Sequence, residues 1–212
     1  MRPVSPPCCH WLDRQSLKRI CRDPRRENLF QKAKLDNTLK SALAQQFVAT
    51  IDMLENVLLA CPDDLWQVRL WDDPRLPRAA EFWYLAYHTL FWLDLYLSGS
   101  VEGFVPPAPF TLDELDPAGI IPEKPYRRNE LLSYLAYTRE KCKGTIDALT
   151  GEEAQRPCAF PWGEVTFAAL LLDNMRHVQE HVAQLNMILG QKIGWSPKWV
   201  TNLSAKGASY RP

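Results

Sequence analysis

Four histidines stand in the 212-residue sequence, and three of them have the types of neighbour and the spacing that metal ligands need. His177 and His181 lie four apart. On a helix that spacing places both imidazoles over one spot beside the same face. Leu170, Asn174, His177, His181, Gln184 and Ile188 then form one narrow stripe, apolar at its ends and polar in its middle. His88 belongs to a second amphipathic stretch, on a face shared with Glu81, Tyr84, Leu85, Phe91, Trp92 and Leu95. Each histidine falls near the middle of its helix, so neighbouring helices should bring all three into one layer of the core. A buried polar group without a partner costs about 1–3 kcal/mol, against a net stability of about 5–15 kcal/mol for a domain. One divalent ion satisfies all three imidazoles. Three protein ligands leave a coordination position open, the pattern of catalytic rather than structural sites.

The plain alternative for any one of these residues is a core histidine bonded to a neighbour; the pair together with a third at matching depth favours the metal. His177-Val-Gln-Glu-His181 also fits H-x-x-E-H, the signature of inverted zinc peptidases. Those enzymes need a further acidic or histidine ligand downstream, and residues 182–212 contain no Asp, Glu or His. Glu180 lies about 80° from the two histidines on the wheel and is read as solvent-facing, with a supporting role as the alternative. Asn174 and Gln184, one turn to either side, and Tyr84 and Trp92 on the other helix are candidates to support the ligands or touch substrate. Ordinary packing is the competing role for those four. His10, beside Cys8 and Cys9, has no organised partners and is set aside.

Four amphipathic helices must position these residues. The first begins at Asn28 or Asp36 and runs to Ala60, with Leu35, Leu39, Leu43, Phe47, Ile51, Leu54 and Leu58 at helical spacing. Cys61-Pro-Asp-Asp stops it. After an Asp72-Asp-Pro-Arg-Leu-Pro loop, the second runs from about Arg78 to Ser98 and ends at Gly99. The third spans about Arg128 to Leu149, with Asn129 as its cap and a stripe of Leu131, Leu135, Cys142, Ile146 and Leu149. The fourth runs from about Glu164 to Leu189 and stops at Gly190. Between the second and third lie 27 residues, Ser100 to Tyr126, with six prolines and two glycines; this long connection should pack over one end of the helices and form a lid. Thr150 to Gly163 reads as a turn-rich loop, and no β pattern or internal repeat is evident. The expected fold is therefore all-α, an up-and-down four-helix bundle. Residues 1–27 form a basic, flexible extension, 28–190 the bundle, and 191–212 a tail packing Trp195 and Trp199 on the body.

Composition narrows the function. Lys plus Arg equals Asp plus Glu at 25 each, which offers no electrostatic footprint for nucleic acid or an anionic membrane. The longest apolar run, Phe82 to Leu97, contains His88 and Asp94 and is too short and polar to span a bilayer. No signal peptide is evident at the N-terminus. The six cysteines contain no C-x-x-C pair and read as reduced thiols of a cytoplasmic protein. Cys142 falls on an apolar helix face, the place of a small buried hydrophobe.

The chain resembles the DinB-like superfamily of metalloenzymes over about residues 30–190. The resemblance rests on His88 within Trp83-Tyr-Leu-Ala-Tyr-His-Thr-Leu-Phe-Trp-Leu and on His177-x-x-x-His181 followed by Ala183-Gln-Leu and Gly190. Cys61-Pro-Asp-Asp-Leu-Trp66 and Pro161-Trp-Gly-Glu-Val-Thr166 add to it. It implies a four-helix bundle, a divalent ion (Zn, Ni or Fe) on His88, His177 and His181, and a homodimer. Members of known chemistry include transferases that use low-molecular-weight thiols such as bacillithiol or mycothiol, and a thiol-dependent maleylpyruvate isomerase. Related domains serve sulfur transfer in thiohistidine synthesis. The implied mechanism is a thiol activated at the open metal position attacking a small electrophilic substrate. A metal-dependent hydrolase or isomerase, and a non-catalytic metal-binding or stress protein, are the alternatives. The family name refers to DNA damage, yet nothing in the sequence supports DNA binding.

Overall fold

The computed structural model describes residues 37–201. The expected N-terminal extension, with His10, Cys8, Cys9 and Cys21, and the last part of the tail lie outside them.

The described chain is mostly helical with one small two-stranded sheet. In chain order the elements are α1 (Asn37–Ala60), α2 (Phe82–Ser98), α3 (Arg128–Ala148), α4 (Gly151–Gln155), β1 (Pro157–Phe160), β2 (Gly163–Thr166) and α5 (Phe167–Ile193). Short 3-10 turns occupy Asp63–Leu65, Pro77–Ala80 and Asp113–Leu115. α2 packs on both α5 and α3, and α1 packs on the same two helices from the other side. The core lies between them. No helix among the described residues is long and apolar enough to cross a membrane.

Apolar periodicity accounts for the long helices. On α1, Phe47, Ile51, Leu54 and Leu58 are fully buried, but Leu39 in the first turn is exposed. On α3 the anticipated stripe of Leu131, Leu135, Cys142 and Ile146 is buried, with Tyr134 and Thr138 alongside. α2 is buried around nearly its whole circumference, which explains why its residues read as one apolar run. Asp94 within that run is fully buried. Its carboxylate accepts from Lys141 Nζ at 2.5 Å and from Tyr134 OH at 3.0 Å, tying α2 to α3.

Element ends depart from expectation for local reasons. The Pro77–Ala80 turn precedes α2, so that helix begins at Phe82 rather than Arg78; Phe82 and Trp83 donate their N–H groups to Val68 O and Trp66 O instead. Gly99, at φ 71°, closes α2 in the left-handed conformation. At the start of α3 the capping position is Arg127, not Asn129, and its N–H donates to the Glu130 carboxylate at 2.7 Å. The expected loop at 150–163 contains α4 and a hairpin. β1 and β2 pair antiparallel from Pro157↔Thr166 to Phe160↔Gly163, with Cys158 and Phe160 facing inward. The all-α expectation is corrected to that extent. α5 starts at Phe167, where Thr166 Oγ1 accepts from Ala169 N–H at 3.3 Å, and continues through Gly190 to Ile193. Beyond it, Trp195 donates to Asn186 Oδ1 at 2.9 Å and packs against the core, whereas Trp199 is exposed.

The long Ser100–Tyr126 connection is anchored to the helices by its aromatics. Phe110 stacks on Tyr134 at 4.3 Å and on Tyr87 at 5.8 Å, Phe104 is buried, and Tyr126 O accepts from Trp66 Nε1 at 2.8 Å. It is a strap held against α2 and α3.

Candidate metal centre

α2 and α5 bring His88, His177 and His181 together. One nitrogen from each ring lies within 4.8 Å of the others. His177 Nε2 stands 3.3 Å from His88 Nε2 and 3.0 Å from His181 Nε2. The three rings are half-buried rather than interior. The reason lies on α5, whose buried face is broad, running from Leu170, Asn174 and Ile188 on one side through Val178 and Leu185 to Leu171, Val182 and Leu189 on the other. His177 and His181 sit toward one flank of that face, roughly 40–80° from its centre at 100° per residue. The polar layer is thus at the edge of the core and open to solvent.

The far edge of each ring is where the three differ. His88 Nδ1 donates to Glu114 Oε2 at 2.8 Å. His181 Nδ1 donates to Gln184 Oε1 at 2.8 Å. With both Nδ1 protons engaged, the Nε2 atoms of these rings are bare lone pairs aimed at the third histidine. His177 Nδ1 is buried without a partner. Burial, aided by the charges of His181 and His88, pushes His177 down to about 3. Burial also lowers His181 and His88 adds to it, while Gln184, Glu180 and Glu114 oppose without reversing the shift.

Glu114 escaped the sequence reading. It sits on the Asp113–Leu115 turn of the strap, and its side chain is only 4% exposed. Tyr84, His88 and Trp92 occupy successive turns of α2 and all reach it: Trp92 Nε1 donates to Oε2 at 3.0 Å, and the Tyr84 hydroxyl interacts with the same carboxylate. Oε1 nonetheless is buried without a hydrogen-bond partner. Burial alone would raise this carboxyl; the hydrogen bond from His88 and the positive charge its ring carries when protonated, with Tyr84 and Trp92, outweigh it and hold it below the usual range. No periodicity marks residue 114, and only its acidity within a Pro-rich connection could have raised it.

The remaining candidates divide cleanly. Gln184 orients His181. Tyr84 and Trp92 hold Glu114 rather than an open space. Asn174 is fully buried and its Nδ2 donates to Leu93 O at 3.0 Å, a tie between α5 and α2. Glu180 is exposed. On the other side of His177 stands Tyr96, with ring centroids 6.3 Å apart. Tyr96 in turn packs on Phe160 and Trp162 of the hairpin turn, and Trp162 is half exposed.

These donors fit a divalent cation. Two imidazole nitrogens bound at about 2.0–2.1 Å with tetrahedral angles lie about 3.3–3.4 Å apart, close to the two separations found. Two rings present lone pairs to one point, and a carboxylate and an amide oxygen fix their tautomers from behind, the usual outer support of metal-binding histidines. The imidazole set suits Zn, Ni, Fe or Cu alike.

The chain matches no curated protein and no solved structure. A family model described as the DinB superfamily matches residues 46–185, more than half of the chain. That stretch contains α2, the strap, the hairpin and all three histidines, and the chain belongs to the DinB superfamily.

Proposed function

We propose that the protein is a divalent-metal enzyme whose ligands are His88, His177 and His181, carried by a four-helix bundle of α1, α2, α3 and α5. The observation that carries this reading is the convergence of three Nε2 atoms at a half-buried, solvent-connected edge of the core. A bound divalent ion supplies Lewis acidity, which stabilises the anion of a thiol or water at neutral pH. The chain's own residues prepare that chemistry: Glu114 and Gln184 keep the Nδ1 protons of His88 and His181 in place, and Tyr96 walls the site beside His177.

The reaction we favour is transfer of a low-molecular-weight thiol to a small electrophile. The thiol S–H bond breaks with its proton passing to solvent, a sulfur–carbon bond forms, and the electrophile's leaving group departs. Membership of the DinB superfamily supports it. The second reading is a metal-dependent hydrolase or isomerase. In it a metal-bound water would take the place of the thiol, with no anionic cofactor to be held. We further propose a cytoplasmic homodimer acting on a small molecule, with neither nucleic acid nor membrane as partner.

Metal analysis of the purified protein and of His181→Ala tests the site. One equivalent of a divalent ion in the parent and its loss in the variant is the expected result; equal content in both overturns the ligand assignment. A panel of small thiols with a chromogenic electrophile then separates thiol transfer from hydrolysis.

A further inference from the structure

We propose that Glu114 is a positioning residue that couples the strap to the three-histidine site, so that ion binding and fixing of the Ser100–Tyr126 segment are one linked equilibrium. The inference rests on the metal reading above and adds a regulatory element to it.

The strap has isolated turns but no helix or strand beyond the 3-10 turn at Asp113–Leu115, and its aromatic anchors, Phe104, Phe110 and Tyr126, dock on Phe91, Tyr134 and Tyr87 of the helices. At Glu114 it meets the site. That one carboxylate takes His88 Nδ1 at 2.8 Å and Trp92 Nε1 at 3.0 Å, with Tyr84 beside it. If holding three neutral donors were the whole purpose, the amide oxygen of a glutamine would serve. A charge buried to 4% exposure, with one oxygen left unpartnered, is costly unless a positive group compensates it. His88 is the group in contact, and its imidazole gains positive character when a cation draws on Nε2. The carboxylate and the ion therefore stand on opposite edges of one ring, each favouring the other. Coupling of this kind is reciprocal: whatever the strap contributes to ion affinity, the ion contributes to the strap. Segments held by a few docked side chains rather than by regular structure are the ones that such biases can order or release.

The test uses the full chain and zinc as the probe. Zinc affinity is measured by chelator competition for the parent, Glu114→Gln, Glu114→Ala and Trp92→Phe. Amide hydrogen exchange of residues 110–116 is followed with and without zinc. The expected result is slower exchange with zinc in the parent. Affinity should weaken about 10-fold in Glu114→Gln and about 100-fold in Glu114→Ala, within the range found for carboxylates behind ligand histidines. Trp92→Phe, which leaves the carboxylate in place but loosens it, should fall between the parent and Glu114→Gln. Zinc should protect the strap in neither Glu114 variant. Parent-like zinc affinity in Glu114→Ala, or equal exchange of the strap with and without zinc in the parent, overturns the coupling while leaving the metal site standing. Failure of the parent to bind zinc, nickel or iron overturns the metal reading itself, and the coupling with it.

Discussion

Glu114 Oε2 and His88 Nε2 lie on opposite edges of one imidazole, the first bonded to Nδ1 at 2.8 Å and the second facing His177 at 3.3 Å. The ring joins a loop to a helix pair. Its tautomer is set from outside the core, by a residue 26 positions away in sequence.

Ion binding should raise thermal stability. A ligand that binds only the folded chain contributes about 2.7 kcal/mol at a hundredfold excess over Kd, roughly 5–10 °C for a domain of this size. Differential scanning fluorimetry with zinc or nickel should show the rise in the parent and none in His177→Ala.

Stability of the ion-free protein should fall with acid. His177 is held at about 3 by burial and by its two histidine neighbours, against about 6.5 in an unfolded chain. Below about 6.5 the unfolded state therefore binds more protons, and stability declines as pH drops toward 3, with a slope of at most about 1.4 kcal/mol per unit per histidine. The lowered His181 acts in the same direction. Urea titrations between pH 7 and 4.5 should show a shallower decline in His177→Gln.

The three histidines were legible because two rules suffice for them: a spacing of four on one helix, and equal depth on another. Their position at the flank was not, since it depends on which neighbours α5 packs against: Leu170, Asn174 and Ile188 of the stripe are buried, but Val178, Val182 and Leu185 extend the buried face beyond it. Glu114 was invisible because its contact is made by tertiary docking of a segment without period. The hairpin was missed because its strands are four residues long, with Pro161-Trp162 between them and Gly163 opening the second, a stretch dominated by turn formers. Burial of Cys142 was foreseen from its face alone, and it is fully buried with its thiol pushed up to about 12 by desolvation.

Removing the partner of the buried Asp94 should be expensive. Lys141→Met leaves a carboxylate at 0% exposure with the Tyr134 hydroxyl but no positive charge beside it, a loss of about 3–5 kcal/mol. Asp94→Leu combined with Lys141→Met should recover most of that, and a double-mutant cycle by chemical denaturation measures the coupling.

Gly99→Ala should destabilise the start of the strap. The residue sits at φ 71°, and a Cβ there would approach Arg156 Nη2 to 2.5 Å and the Phe167 ring to 3.1 Å. A loss of about 1 kcal/mol or more is expected from the left-handed backbone alone, read as a lower urea midpoint at unchanged slope.

His88 and His177 stand 89 residues apart in the chain. Any ion held by both is a removable cross-link that closes a circuit containing the strap, α3 and the hairpin. Because an ion that binds only the folded chain leaves on unfolding, its depletion would cost the fold the free energy of that binding and release the two ends of an 89-residue span from one another, rather than affect one corner of the molecule.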